Sequence, residues 1–234
     1  PVYRILCVAI LVISALSGAF AISSYIDPAG YPYPWPDNPS PALASYEFNS
    51  LSDLADYYPT GSWSVSGGIL SITGSGERRA VLNGSTAWTN YVVKGNARIT
   101  DGITQGNSAF KIYVRVTGTA AAMNAYVFEI DSDFTNRFSL RKIVNGVESD
   151  PLITSVTSVG FDWSLWQEIS AVANGNTFTM YINGIEVLRY TDDANPYLNG
   201  RVGLGAKSYT LVEVDYLRVY GINSLSREWK YYTY

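Results

Sequence analysis

Hydrophobic and polar residues follow two rhythms along this chain, and the change-over falls at a cluster of prolines. From Ile5 to Ile26 no charged residue occurs, and large apolar side chains recur at Ile5, Leu6, Val8, Ile10, Leu11, Val12, Ile13, Leu16, Phe20 and Ile22. An apolar run of that length predicts one long hydrophobic helix over residues 1–26. As a helix, residues 5–26 would span about 33 Å, against roughly 30 Å for the hydrocarbon core of a bilayer. From Tyr46 to Tyr220 the rhythm shortens to two. In AFKIYVRVTG, Phe110, Ile112, Val114 and Val116 face one way, and Lys111, Tyr113, Arg115 and Thr117 the other. In AYVFEID, Tyr126, Phe128 and Ile130 alternate with Val127, Glu129 and Asp131. Asn183-Gly184 joins two such runs as a two-residue hairpin turn, Asn145-Gly146 marks a second hairpin, and Asn199-Gly200 a further tight turn. Residues 46–221 are therefore expected to form an all-β sandwich.

Between the two rhythms lies DPAGYPYPWPDNPSP, Asp27–Pro41. Proline removes backbone donors and drives the preceding residue out of the helical region, so no helix continues through it. Residues 27–45 read as a stiff, extended spacer close to polyproline II. The last segment, 222–234, is rich in aromatics and is expected to pack on its own domain, with strand addition to a neighbouring subunit as the alternative.

Composition narrows the chemistry. The chain has no histidine and a single cysteine, Cys7, which excludes Cys/His zinc sites, a histidine-based triad and an intrachain disulfide. Sixteen basic against 20 acidic residues, with no Lys/Arg stripe, argue against a nucleic-acid partner. Nineteen tyrosines among many Ser, Thr, Asn and Gly residues suit an extracellular surface of strands and turns.

The apolar segment has two local readings. Arg4, the run Ile5–Leu16 and Ala19-Phe20-Ala21 fit a secretory signal with its cleavage site. Retention is the expectation adopted here. A retained helix must be buried, since its large side chains represent on the order of 15–30 kcal/mol of apolar burial. Ser14/Gly18, Ala15/Ala19 and Ser17/Ala21 are spaced four apart and would let such helices approach closely. With this pattern the first 26 residues resemble the N-terminal helix of type IV pilins, archaeal ones in particular. The resemblance implies a helix that sits in the membrane before assembly and then packs among copies of itself as a filament core, through Ile5, Leu6, Val8, Ile10–Ser14, Leu16, Gly18, Phe20 and Ile22.

The later landmarks SWSVSGGILSI, AWTNYVVKGNARI, AYVFEI, FSLRKIVNG, LWQEISAVANGNTFTMYINGIEVLRY, NGRVGLGA and VEVDYLRVYG follow one another as in concanavalin A-like and laminin-G-like jelly rolls. That superfamily holds lectins, carbohydrate-binding modules, glycoside hydrolases and adhesive domains, so fold alone does not decide function. FEIDSDF resembles the E-x-D-x-E strand of jelly-roll glucanases, but Asp133 stands where a second glutamate would be, and Asp131–Asn136 reads as a turn. No catalytic residue is assigned, and the chain is read as a non-enzyme. The resemblance places Tyr113, Arg115, Glu129 and Arg141 on a shallow glycan-binding groove. It also places Glu47 and Asp215 where relatives bind calcium, which hard oxygen ligands suit; otherwise no cofactor is expected. Trp63, Trp88 and Trp166 are assigned to the core, and Trp163, Tyr58 and Tyr197, beside turns, to exposed contacts. Asn83-Gly84-Ser85 is a sequon for N-glycosylation.

These features combine as the structural subunit of an extracellular, cell-surface, pilus-like adhesive filament. Its helix would form the core of a helical homopolymer, and its β-domain would contact glycans or solid surfaces. The alternative is a secreted or membrane-anchored carbohydrate-binding jelly roll, with glycan hydrolysis as its remoter variant.

Overall fold

The alternating segments fold as strands, because period-two side chains bury one face of a sheet and leave the other to solvent. The computed structural model describes residues 42–102, 108–131 and 137–222. In chain order the strands are β1 (Ala42–Tyr46), β2 (Leu54–Tyr58), β3 (Trp63–Ser66), β4 (Ile69–Ile72), β5 (Arg78–Leu82), β6 (Tyr91–Asp101), β7 (Ala109–Thr117), β8 (Asn124–Asp131), β9 (Arg137–Val144), β10 (Val147–Glu148), β11 (Ile153–Val156), β12 (Gln167–Asn174), β13 (Thr177–Ile182), β14 (Ile185–Thr191), β15 (Arg201–Lys207) and β16 (Leu211–Gly221). Two short 3-10 turns, Leu51–Asp53 and Thr60–Ser62, are the helical content of the described residues. No helix among them is long and apolar enough to cross a membrane.

The strands form two eight-stranded antiparallel sheets. The first runs β14-β13-β12-β6-β16-β4-β3, with β1 also pairing with β16. The second runs β10-β9-β8-β7-β15-β5-β2, with β11 also pairing with β9. Neighbours such as β6 with β16 and β7 with β15 are distant in sequence, the crossed connectivity of a jelly roll. Between the sheets, Tyr91, Val93, Ala97 and Ile99 of β6 meet Phe110, Ile112 and Val114 of β7 and Tyr126, Phe128 and Ile130 of β8.

Several expectations need correction or fall elsewhere. The helix over 1–26 with its self-assembly positions from Ile5 to Ile22, the hinge up to Pro41, the 223–234 tail and Asp133 lie outside the described residues. Strand β1 starts at Ala42, inside the stretch read as the end of the hinge. Strand β7 does not alternate to its end, because its pairing with β8 slips between Val114 and Thr117. There Arg115 adopts a left-handed conformation, φ 60°. The bulge turns Val116 to the outer face and Arg115 inward. Asn183-Gly184 and Asn145-Gly146 make the expected turns with both residues at positive φ. Gly200, at φ 147°, instead faces the bulge, and a Cβ there would overlap the backbone of Arg115.

Candidate functional site

On the second sheet, the faces that point away from the core form a grid that the pairing register defines. One row crosses the sheet through Thr154 (β11), Ser139 (β9), Glu129 (β8), Lys111 (β7), Gly205 (β15), Arg79 (β5) and Tyr58 (β2). The row above holds Arg137, Asp131, Ala109 and Lys207, with Arg137 and Asp131 paired at 3.4 Å. The row below holds Arg141, Val127, Tyr113, Gly203, Val81 and Asp56.

Lys111 is the centre of the polar row and is 0% exposed. Its Nζ lies 2.9 and 3.0 Å from the two carboxylate oxygens of Glu77, 2.7 Å from Glu148 and 3.4 Å from Glu129. Arg79 donates to Glu77 at 3.2 Å, to Glu148 at 3.0 Å and to the Gly146 carbonyl at 2.7 Å. Glu129 accepts from Ser139 Oγ at 2.9 Å and from Arg141 Nε, while Arg141 also donates to the Ser149 carbonyl at 3.0 Å. Three cations and three carboxylates thus cancel in one hydrogen-bonded network.

Burial and charge oppose each other here. Burial pushes the carboxyls of Glu77 and Glu129 up, but Lys111, with Arg79 beside Glu77 and Arg141 beside Glu129, holds both below the ordinary range. Burial pushes the Lys111 ammonium down, and Glu77, Glu148 and Glu129 more than reverse it. The hydroxyl of Tyr113 is driven well up, by burial first and then by Glu77 and Glu148. It donates to Glu77 at 3.2 Å.

Below the polar row the face is closed. Ala120 and Met123, from the connection between β7 and β8, pack with Val81, Tyr113, Val116, Val127 and Ile143 as a second apolar cluster. Asp56 anchors that connection by accepting from the Ala120 amide at 2.6 Å. The Tyr113 ring lies flat across β15, where a Cβ on Gly205 would stand 2.7 Å from its hydroxyl. What stays open is polar: Glu77 is 32% exposed, Arg141 23%, Glu148 14% and Arg79 11%. Tyr58 is exposed at the end of the row.

The predicted glycan contacts separate accordingly. Arg141, in the row below, is partly open and pairs with Glu129 of the polar row, which is itself only 5% exposed. Tyr113 is on that face but wholly covered, so it cannot touch a ligand. Arg115 leaves the face altogether: its guanidinium lies between the sheets, donating to the carbonyls of Trp88, Ala173 and Gly175 and lying 5.1 Å from the Tyr91 ring centroid. Lys111, Glu77, Arg79 and Glu148 were missed. Alternation marks Lys111 as outward, but nothing local shows that β8, β10 and the connection before β5 bring carboxylates to it.

Among the tryptophans, Trp63 is in the core and Trp88 packs against it. Trp166 is outside the core, with the Arg98 guanidinium 4.7 Å over its ring. Trp163 is not exposed but 1% accessible, packed with Phe138 and Phe161. Tyr197 is half-buried against Tyr126. Glu47 is engaged by Arg218 at 2.9 Å, and Asp215 sits at a register slip of β16. Among the described residues no group of three or more acidic, His or Cys side chains could hold a metal ion. Asn83 is exposed in the turn after β5, and its side-chain amide donates to the Ser52 carbonyl.

The family model of the 3-keto-alpha-glucoside-1,2-lyase-like domain matches residues 47–219, which takes in the whole polar row. The chain belongs to this family. Its fold is also that of solved carbohydrate-directed proteins. The carbohydrate-binding module CBM66 from Bacillus subtilis is 19% identical with a TM-score of 0.55, over 70% of this chain and 96% of that one. The β-glucanase of Bacillus licheniformis is 14% identical with a TM-score of 0.56, over 77% and 98%. The catalytic domain of an endo-1,3-β-glucanase (laminarinase) from Thermotoga petrophila is 13% identical with a TM-score of 0.56, over 78% and 98%. At such identities the likeness establishes the fold alone. No curated protein sequence matches the chain. None of these likenesses is to a pilin, and the expectation of a non-enzyme finds no support in membership of a lyase-like family.

Proposed function

We propose that this member of the lyase-like family binds carbohydrate outside the cell, on the partly open polar groups around Lys111 on its second sheet, chiefly Glu77, Arg141 and Glu148. The observation that carries the proposal is the network around Lys111. It holds hydrogen-bonding side chains in place before any ligand arrives, and its charges cancel, which suits a neutral sugar rich in hydroxyls. Membership of a family named for a glucoside lyase, and a fold shared with a carbohydrate-binding module and glucanases, support the same class of ligand. Neutral β-glucans are the first ligands to try.

Binding fits the row better than catalysis. A general acid–base pair needs a group that exchanges its proton near the working pH. Here Glu77 and Glu129 are held as anions, and Lys111 is held as a cation beneath three carboxylates.

Isothermal titration with laminari-oligosaccharides and mixed-linkage β-glucan oligosaccharides tests this, with a glycan array beside it. Binding is expected, and Arg141→Ala should weaken it about tenfold or more, as loss of a hydrogen bond to a charged group does. Circular dichroism should show the variant folded. Absence of binding to any glycan would refute the proposal, and cleavage of a glucan or of a 3-keto-glucoside by the unmodified protein would make the row an active site.

A further inference from the structure

We infer that Tyr58 is the platform of a second sugar subsite at the far end of the row, so that the domain takes an extended oligosaccharide lying across the strands. The inference rests on the carbohydrate-binding proposal and adds the length and direction of the ligand.

A single exposed aromatic on a protein surface is ordinary. Tyr58 differs because of where the register places it. Its neighbour Tyr57 points into the core and packs edge-on against Trp63 with centroids 6.4 Å apart, so alternation turns Tyr58 to the outer face, directly opposite Arg79. It is 58% exposed, and among the described residues it has no hydrogen-bond or ring partner. Arg79 would be the natural side chain to cover it. Arg79 is instead drawn back into the cluster by Glu148 and the Gly146 carbonyl, which leaves the ring bare. On the row, Gly205 adds no side chain between Lys111 and Arg79. The result is an apolar ring with a polar tip, next to Arg79 and five strands away from Arg141 at the other end of the network.

The separation decides the ligand class. From β9, which carries Arg141, to β2, which carries Tyr58, the sheet order has five inter-strand steps, about 24 Å at ~4.8 Å each. A monosaccharide or disaccharide held by Arg141 at the β9 end of the cluster cannot reach Tyr58, which stands one strand beyond Arg79. A linear chain running perpendicular to the strands can, and it would lay one sugar face on the ring while its hydroxyls meet the cluster.

The test uses the full chain and laminari-oligosaccharides from disaccharide to hexasaccharide in titration calorimetry. The hexasaccharide should bind more tightly than the disaccharide. Tyr58→Ala should weaken the hexasaccharide threefold to tenfold, the scale of one aromatic contact, and leave the disaccharide unchanged; Tyr58→Phe should keep most of the gain. Equal affinity for short and long chains, or equal loss for both in Tyr58→Ala, would overturn the remote subsite while leaving sugar binding intact. If neither oligomer binds but other glycans do, the inference fails for this chain type and sugar binding stands. If no glycan binds at all, both fall together.

Discussion

Lys111 shows how much one side chain can organise. A fully buried ammonium is costly unless paired, and truncating one partner of a buried pair leaves the others uncompensated. Lys111→Met should therefore destabilise the domain by about 3–5 kcal/mol at neutral pH. The pH dependence has a definite sign. Glu77 and Glu129 are depressed in the folded protein, so their contribution is present above the ordinary carboxylate value, about 4.3, and is lost as pH falls through their folded values. Lys111 is raised, so its contribution is present below about 10.4 and is lost as pH rises through its folded value. Without Lys111 the carboxyls can protonate in mild acid and shed their repulsion. Urea unfolding at pH 7 and near pH 4.5 should show a larger penalty for Lys111→Met at pH 7. An equal penalty at both would mean that packing of the aliphatic stem, rather than charge, explains Lys111.

At the scale of elements, the connection between β7 and β8 sets how much of the sheet face remains open. It is held at one end by Asp56, whose carboxylate takes the Ala120 amide, and at the other by the Met123 carbonyl, which accepts from the Gly146 amide at 2.8 Å. Asp56→Ala removes the first hold and should cost about 1–2 kcal/mol. Hydrogen exchange should then quicken at the amides from Ala120 to Met123, while the β6 and β16 amides stay protected. If protection is lost evenly through both sheets, Asp56 supports the whole sandwich and not this connection alone. The β7 bulge matters in the same way: Gly200 gives the backbone of Arg115 room, and without that slip Arg115 would join the open face.

For the whole molecule, two sheets must stay closed over one core without a disulfide, since the sole cysteine is Cys7. Aromatic residues do much of this at one end of the sandwich. Trp163 packs against Phe161 at 5.9 Å and Phe138 at 6.5 Å, and its carbonyl accepts from the Ile99 amide of the opposite sheet at 2.8 Å. Trp163→Ala should cost about 3–5 kcal/mol by the cavity it leaves, measurable as a lower denaturant midpoint. A change below 1 kcal/mol, within the range of ordinary surface substitutions and their error, would contradict its placement in the core.

Alternation by itself determined the sandwich class and the outward direction of Lys111 and Glu129, because side-chain direction along a strand is a local property with period two. The Asn-Gly pairs marked two hairpins, and only its place beside a turn pointed to the exposure of Tyr58. Only the tertiary structure decided that Trp163 is buried, that Arg115 turns inward at a bulge, that Tyr113 lies under a loop, and that Glu77, Glu129 and Glu148 converge on one lysine. Those outcomes depend on which distant strands become neighbours and in what register, and a single shift of pairing moves a side chain to the opposite face.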